Sequence, residues 1–344
     1  MKKILFLASA LFLSSMRLFS QEKVATAPLP LFQSNDILKL TIKTDLKSLL
    51  RDVGDEREEH PGTVEYVHEG DTVRLLTMLR TRGKFRRDPK NCSFPPLRLN
   101  FKKKQTVNTI FEGTDKMKLV THCKSNINSY QKYIVREYLV YRIFNLLSDT
   151  SYRARLTEIT YIDDSGKMKP QTSLAILVEP DEAIEDRLNC KKSDRKYMLP
   201  DSTNFWYIGM VSMFQYMIGN TDWAVTTQHN IQLFDIVTGE PPHAIPYDFD
   251  WCGVVNSHYA VPLPRFGTKT VRERVYRGQC RPFDQFQEYA NFFESKKSDI
   301  YQLINNYPLL SKSEKRDIIG YLEEFYYLIN NERLIRSKLM IECL

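Results

Sequence analysis

The chain has 344 residues, 42% hydrophobic and 12% aromatic, enough to bury a sizeable core and to exclude intrinsic disorder. Its formal charge of +7 is a mild excess that lends only weak support to nucleic-acid binding, and no nucleic-acid partner is expected. There is no CxxC pair and no HxxxH spacing, which argues against a zinc site.

Residues 1–20 carry Lys2 and Lys3, then an apolar stretch from Ile4 to Leu13, then small residues before Ser20-Gln21. The pattern predicts a secretory signal peptide, too short for a membrane span, and an exported protein that is periplasmic, at the cell surface or secreted. Cleavage removes Lys2, Lys3 and Arg17 and no acid, so +7 becomes +4. No other stretch is expected to cross a bilayer. All six cysteines, Cys92, Cys123, Cys190, Cys252, Cys280 and Cys343, lie beyond the cut, where an oxidising compartment permits disulfides. Cys92 with Cys123 is the first expected pair and Cys252 with Cys280 the second.

Residues 21–36 form a leader without periodicity. From Ile37 the run ILKLTIKT alternates as a strand, and Asp45 or Thr44 caps a short helix. TVEYVH and TVRLLTMLRTR flank Glu69-Gly70-Asp71 as a hairpin. The loop RGKFRR at 82–87 could cradle phosphate through backbone N–H groups and cations, or be a solvated basic turn. Strands LRLNFKK and KMKLVTHC follow. The segment 131–147, QKYIVREYLVYRIFNLL, is apolar on almost every face and predicts a helix packed on several sides. Glu137 falls between Tyr141 and Phe144 on that helix, so it either reaches solvent at an edge or pairs with a lysine on a neighbouring strand such as Lys118. Strands TEITYID and SLAILVE come next, and the second ends at Glu179-Pro180-Asp181-Glu182, a polar joint of the kind found at hinges.

Segment 203–218 is a second helix without a polar face, capped by Asp201 or Ser202 and closed by Gly219. After it, residues 219–253 gather Asp222, Asp248 and Asp250 with Asn220 and Asn230 among apolar neighbours. Such groups are costly to bury without cations or hydrogen bonds, which marks this stretch as the site. Between Arg265 and Arg281 stand six bases, Arg265, Lys269, Arg272, Arg274, Arg277 and Arg281, against Glu273 alone. They could dock an acidic substrate or be solvated. Ser311 and Glu314 form a capping-box pattern, and Ile318, Leu322, Phe325 and Ile329 the apolar stripe of a last long helix.

In this order, RGKFRR with PPLRLNF, KLVTHC leading into the Glu137 helix, SLAILVEPDE, GNTDW…HN and IPYDFDW, the chain resembles the spore coat protein H (CotH) kinase family. The resemblance runs from about Ile37 to the C-terminal helices, and its specific part is Asp222…Asn230…Asp248-Phe249-Asp250. It implies an α+β, protein-kinase-like bilobal fold, with a β-rich N-lobe at 37–180 and a mainly α C-lobe at 181–344. It also implies an ATP and Mg²⁺ site and a protein or cell-envelope acceptor. Asp222 would orient the acceptor hydroxyl, and Asn230, Asp248 and Asp250 would hold metal on the phosphates. Lys118, Arg98 and Arg86 compete as the phosphate-binding base, and Glu137 and Glu179 complete the expected cofactor set. Asn230 follows Asp222 by eight positions, where protein kinases use five, and RGKFRR is not a GxGxxG loop. Two other function classes stay open: a catalytically inert binding protein, and a metal-dependent phosphoesterase using the same aspartates.

Overall fold

Period-two alternation in the first half of the chain yields seven strands, described with the rest of the molecule by a computed structural model covering residues 26–341 and 343. The expected signal peptide lies outside the described residues. The strands are β1 (Leu38–Thr44), β2 (His60–His68), β3 (Asp71–Thr81), β4 (Leu97–Phe101), β5 (Lys116–Val120), β6 (Ala154–Asp163) and β7 (Gln171–Val178). They close into a barrel in the order β1-β2-β3-β4-β5-β7-β6. All neighbours are antiparallel except β1 and β6, which run parallel from Leu38 opposite Thr157 to Thr44 opposite Asp163. One face of each strand fills the interior with residues such as Leu40, Val64, Leu79, Leu99, Leu119 and Leu177, the inward set that alternation demands.

Two short helices, α1 (Leu46–Arg51) and α2 (Lys103–Thr106), sit among these strands, and α3 (Asn128–Leu147) follows β5. Beyond β7 come α4 (Asp181–Leu188), the two-residue β8 (Lys191–Lys192), α5 (Phe205–Ile218), β9 (Ile231–Asp235) and β10 (His243–Pro246). The chain then forms α6 (Phe283–Asn306), α7 (Lys312–Ile329) and α8 (Glu332–Ile335). Strands β10, β9 and β8 make a separate antiparallel sheet.

The expected protein-kinase-like bilobal fold is corrected by this architecture. The β-rich part is a closed mixed barrel of seven strands, not an open sheet forming a lobe of its own. The helices are not set apart from it either. Helix α3 packs on β6 and β7 on one side and on α6 on the other. Val120, Leu156, Ile176 and Val178 of the barrel share one continuous core with Phe144, Phe214, Phe249, Phe293 and Phe325. A helix apolar all round has no face to give to solvent, so it welds the two kinds of layer together instead of lining one of them.

Local signals are realised more closely. Asp45 caps α1 by accepting from the Ser48 N–H at 3.1 Å, and Ser311 with Glu314 forms the full capping box of α7. Helix α5 departs from expectation: its cap is Asn204, which accepts from the Tyr207 N–H at 3.0 Å. Asp201 and Ser202 belong to a preceding 3₁₀ turn, Pro200–Ser202. Gly219 closes α5 at φ 69°, and a side chain there would collide with the Tyr321 hydroxyl, so the position needs glycine on both counts.

Cys92 and Cys123 are joined as expected. The second pair differs, because Cys280 bonds Cys343 while Cys252 is a fully buried thiol in the turn after Asp250. Among the described residues no helix is long and apolar enough to cross a membrane. The Cys92–Cys123 bond closes a sequence separation of 31, which corresponds to about 3–4 kcal/mol on the chain-entropy account. Replacing both cysteines by serine is therefore expected to lower the free energy of unfolding in urea by that amount, with a somewhat steeper slope because the uncrosslinked unfolded chain exposes more surface. A midpoint within error of the parent would remove the bond from the list of stabilising features.

Candidate functional site

Strand β10 delivers the chain to Asp248, which adopts a left-handed backbone at φ 63°, a conformation that aspartate tolerates better than most residues. The Asp248 N–H donates to the Tyr141 hydroxyl of α3 at 2.9 Å, which ties the aspartate turn to that helix. Two residues on, the Asp250 carboxylate is buried. It accepts from the Tyr259 hydroxyl at 3.0 Å and lies 3.7 Å from Nη1 of Arg86. The Arg86 guanidinium is itself buried, donates to the Thr121 carbonyl and sits 5.8 Å from the Tyr259 ring centre.

Glu137 of α3 completes the cluster. It is 1% exposed, and among the described residues its Oε1 has no hydrogen-bond partner. Burial first, then the charges of Asp250 and Asp248, push its pKa well above the carboxylate range. Burial and Asp248 likewise push Asp250 up to about 7. Arg82, at the edge, favours ionisation of Glu137. Three carboxyl groups thus share one buried guanidinium, and the raised pKa values mean that burial and mutual repulsion are relieved by holding protons.

The Asp222 loop forms the neighbouring part of the same site. The Asp222 N–H donates to Oδ1 of Asn220 at 2.9 Å, and Asn220 in turn donates to Oε1 of Gln215 at 2.9 Å. Both carboxylate oxygens of Asp222 are held. Oδ1 meets Nε2 of His229 at 2.8 Å, and Oδ2 accepts from Nδ2 of Asn230 at 3.0 Å. The hydrogen bond to Asp222 raises the pKa of His229. Arg277 fastens the loop from outside, its Nη1 donating to the Thr221 carbonyl at 2.7 Å and to the Trp223 carbonyl. The charge of Asp222 reaches Asp250, and that of Asp248 reaches His229, so the two groups of side chains act on each other.

The barrel supplies a cationic wall. Arg80, Arg98 and Lys118 lie directly opposite one another across β3, β4 and β5, a row of like charges that costs stability unless anions offset it. Lys118 pairs with Asp181 at 3.7 Å and lies 4.9 Å from the Tyr247 ring centre, one residue before Asp248. Burial lowers its pKa, and Asp181 and Asp248 oppose that shift.

Of the residues expected from sequence, Arg86, Glu137, Asp248 and Asp250 therefore converge, Asp222 and Asn230 bond each other beside them, and Lys118 stands at the rim. Glu137 neither reaches solvent nor pairs with Lys118; it faces Arg86 and the aspartates. Arg98 is taken by Glu59 at 2.8 Å. Glu179 is wholly buried and serves the scaffold, accepting from Nε and Nη2 of Arg187 at 2.9 Å each and from the Arg153 N–H at 2.9 Å. The amide of Asn230 is spent on Asp222, consistent with its longer spacing. His229, Tyr259 and Arg277 were not among the expected site residues, although His229 adjoins Asn230 and Arg277 belongs to the basic run.

Among the described residues no group of three or more His, Cys, Asp or Glu is arranged to hold a metal ion alone. Mg²⁺ is commonly held by one or two carboxylates, with water and phosphate oxygens filling the rest of its octahedron. Asp248 and Asp250 stand close enough to Glu137 for their charges to act on it. A groove of about 600 Å³ elsewhere, between β1, β2 and β6, lacks this chemistry because its Glu65 and Glu158 are already paired with Lys43 and Lys39. No known family model and no curated protein matches this chain.

Proposed function

We propose that this chain is a Mg²⁺-dependent phosphotransferase that moves the γ-phosphate of ATP to a hydroxyl of a protein or cell-envelope acceptor. The observation that carries the reading is a fixed aspartate, Asp222, set beside a cluster of three carboxyl groups that share one buried guanidinium. Asp248 and Asp250 would hold the metal, which when bound neutralises phosphate charge. Asp222 orients the acceptor hydroxyl and receives its proton as the acceptor oxygen bonds the γ-phosphorus and the bond to the bridging oxygen breaks, leaving ADP. Lys118 faces the same rim with a charge that Asp181 balances only in part. The two disulfides support an exported location, where such bonds persist.

The test is thermal unfolding of the mature chain with ATP and Mg²⁺ together and with each alone. At about 100 times the dissociation constant, a ligand specific for the folded state adds about 2.7 kcal/mol. An upward shift is expected only with the pair, accompanied by transfer of labelled γ-phosphate. A shift without transfer would favour a binding protein, release of phosphate from a monoester without ATP would favour a phosphoesterase, and no shift would end the nucleotide reading.

A further inference from the structure

Three of the six bases between Arg265 and Arg281 are held in ion pairs by the fold. Arg272 pairs with Asp317 at 3.3 Å, Arg274 with Glu324 at 2.6 Å and Arg281 with Asp201 at 3.1 Å. Arg265 and Arg277 differ. Arg265 is exposed, and neither guanidinium has a carboxylate ion-pair partner among the described residues. Both lie over the ring of Phe266, at 4.8 Å for Arg265 and 5.1 Å for Arg277. Arg277 also lies 5.3 Å from the Trp223 ring, its Nε is buried without a partner among the described residues, and its Nη1 holds the carbonyls on both sides of Asp222.

Two guanidiniums sharing one aromatic ring repel each other, and stacking on the ring offsets only part of that cost. Burial and the charge of Arg265 together lower the pKa of Arg277 to about 10, while Asp222 pulls it upward. The pair would gain from an anion lodged between them, and planar guanidinium forks match carboxylate oxygens. His229, half exposed, contacts Asp222 at 2.8 Å on the loop that Arg277 holds.

We propose that Arg265 and Arg277 form an anion subsite beside Asp222 that takes a carboxylate of the acceptor, so that the preferred acceptor is an acidic peptide bearing the hydroxyl. The subsite rests on the phosphotransfer reading for its role, but not for its ability to bind. Arg277 has a second duty in holding the Asp222 loop, so Arg265, which makes no hydrogen bond among the described residues, is the side chain to change.

The experiment uses three serine peptides of equal length, flanked by Asp and Glu, by Asn and Gln, or by Lys. Their binding to the mature chain is measured by calorimetry, and their phosphorylation with Mg²⁺-ATP is measured alongside. The parent is expected to favour the acidic peptide over the amide peptide by about tenfold in kcat/KM, mainly through KM. Arg265→Glu should bring that ratio to about one or below while Mg²⁺-ATP affinity stays at the parent value, and Arg265→Lys should retain part of the preference. Equal use of the three peptides, or a preference that survives Arg265→Glu, overturns the subsite. If the parent transfers phosphate to none of them and binds no nucleotide, the phosphotransfer reading fails by itself. The subsite is then judged by calorimetry alone: acidic-peptide binding that Arg265→Glu abolishes upholds it, and binding that is absent or unchanged overturns it.

Discussion

Asp222→Asn is expected to bind Mg²⁺-ATP within about twofold of the parent and to turn over about 10³-fold more slowly, in the range attributed to a positioned general base. Asp248→Asn is expected to lose nucleotide affinity itself, by about 10–100-fold or more, as befits a metal ligand. The separation follows from where each side chain is anchored. The oxygens of Asp222 are fixed by His229 and Asn230, so the carboxylate is held in one orientation, which serves a transition state more than a ground-state complex. Among the described residues Asp248 has its backbone anchored by Tyr141 and its side chain in no hydrogen bond, and its charge is felt by Glu137, Asp250 and Lys118, as the proposed metal-holding role requires. Asparagine at 222 offers one acceptor where two are used, so the loss of one hydrogen bond costs about 1 kcal/mol of stability. Unfolding midpoints are therefore recorded beside calorimetric affinities and transfer rates. Parent-like binding and transfer in both variants would end the proposed roles, and a parent inactive in both assays would end the phosphotransfer reading and leave the binding-protein and phosphoesterase readings.

The strands and helices were legible because their signals are local. ILKLTIKT alternates, 131–147 is apolar all round, and Asp45, Gly219 and Ser311 punctuate helix ends by chemistry confined to a few residues. The closure of the barrel was not legible. Parallel pairing of β1 with β6 joins segments far apart in the chain, and alternation reports which face of a strand is buried without saying which strand lies beside it. The resemblance to a kinase-like fold supplied two lobes where the continuous core around α3 makes none.

The site divided along the same line. Asp222, Asp248 and Asp250 stood out because carboxylates among apolar residues need compensation. The charged part of the compensation came through a long-range contact: Arg86 reaches Asp250 from the loop after β3, while the Tyr259 hydroxyl comes from nine residues further along the chain. Glu179 shows a different case. It joined the expected cofactor set with the resemblance, and its side chain is held by Arg187, eight residues later on α4. Its burial with a full set of partners is what distinguishes a scaffold carboxylate from Glu137, buried with an oxygen left over among the described residues.

That shared hold on protons predicts a trade between stability and binding at Asp250. Its carboxyl is held at about 7 by burial and by Asp248, above the roughly 3.9 of an unfolded chain. The folded state therefore binds the proton more tightly than the unfolded state does. The resulting contribution is fully present below about pH 4 and is lost as pH rises through about 7. Between pH 5 and pH 8 the ligand-free parent should lose most of this contribution. Asp250→Asn keeps an oxygen for the Tyr259 hydroxyl and has no proton to lose, so it should be the more stable protein at pH 8 without ligand, with the advantage shrinking toward pH 5. The same substitution should abolish stabilisation by Mg²⁺-ATP, whose binding to the parent displaces the proton and therefore tightens as pH rises through about 7. Urea unfolding at the two pH values, with and without Mg²⁺-ATP, reads all four quantities. A variant less stable than the parent at pH 8 without ligand would mean that Arg86 already balances Asp250, which would make the pair a structural ion pair and leave Asp248 as the only metal ligand of the two.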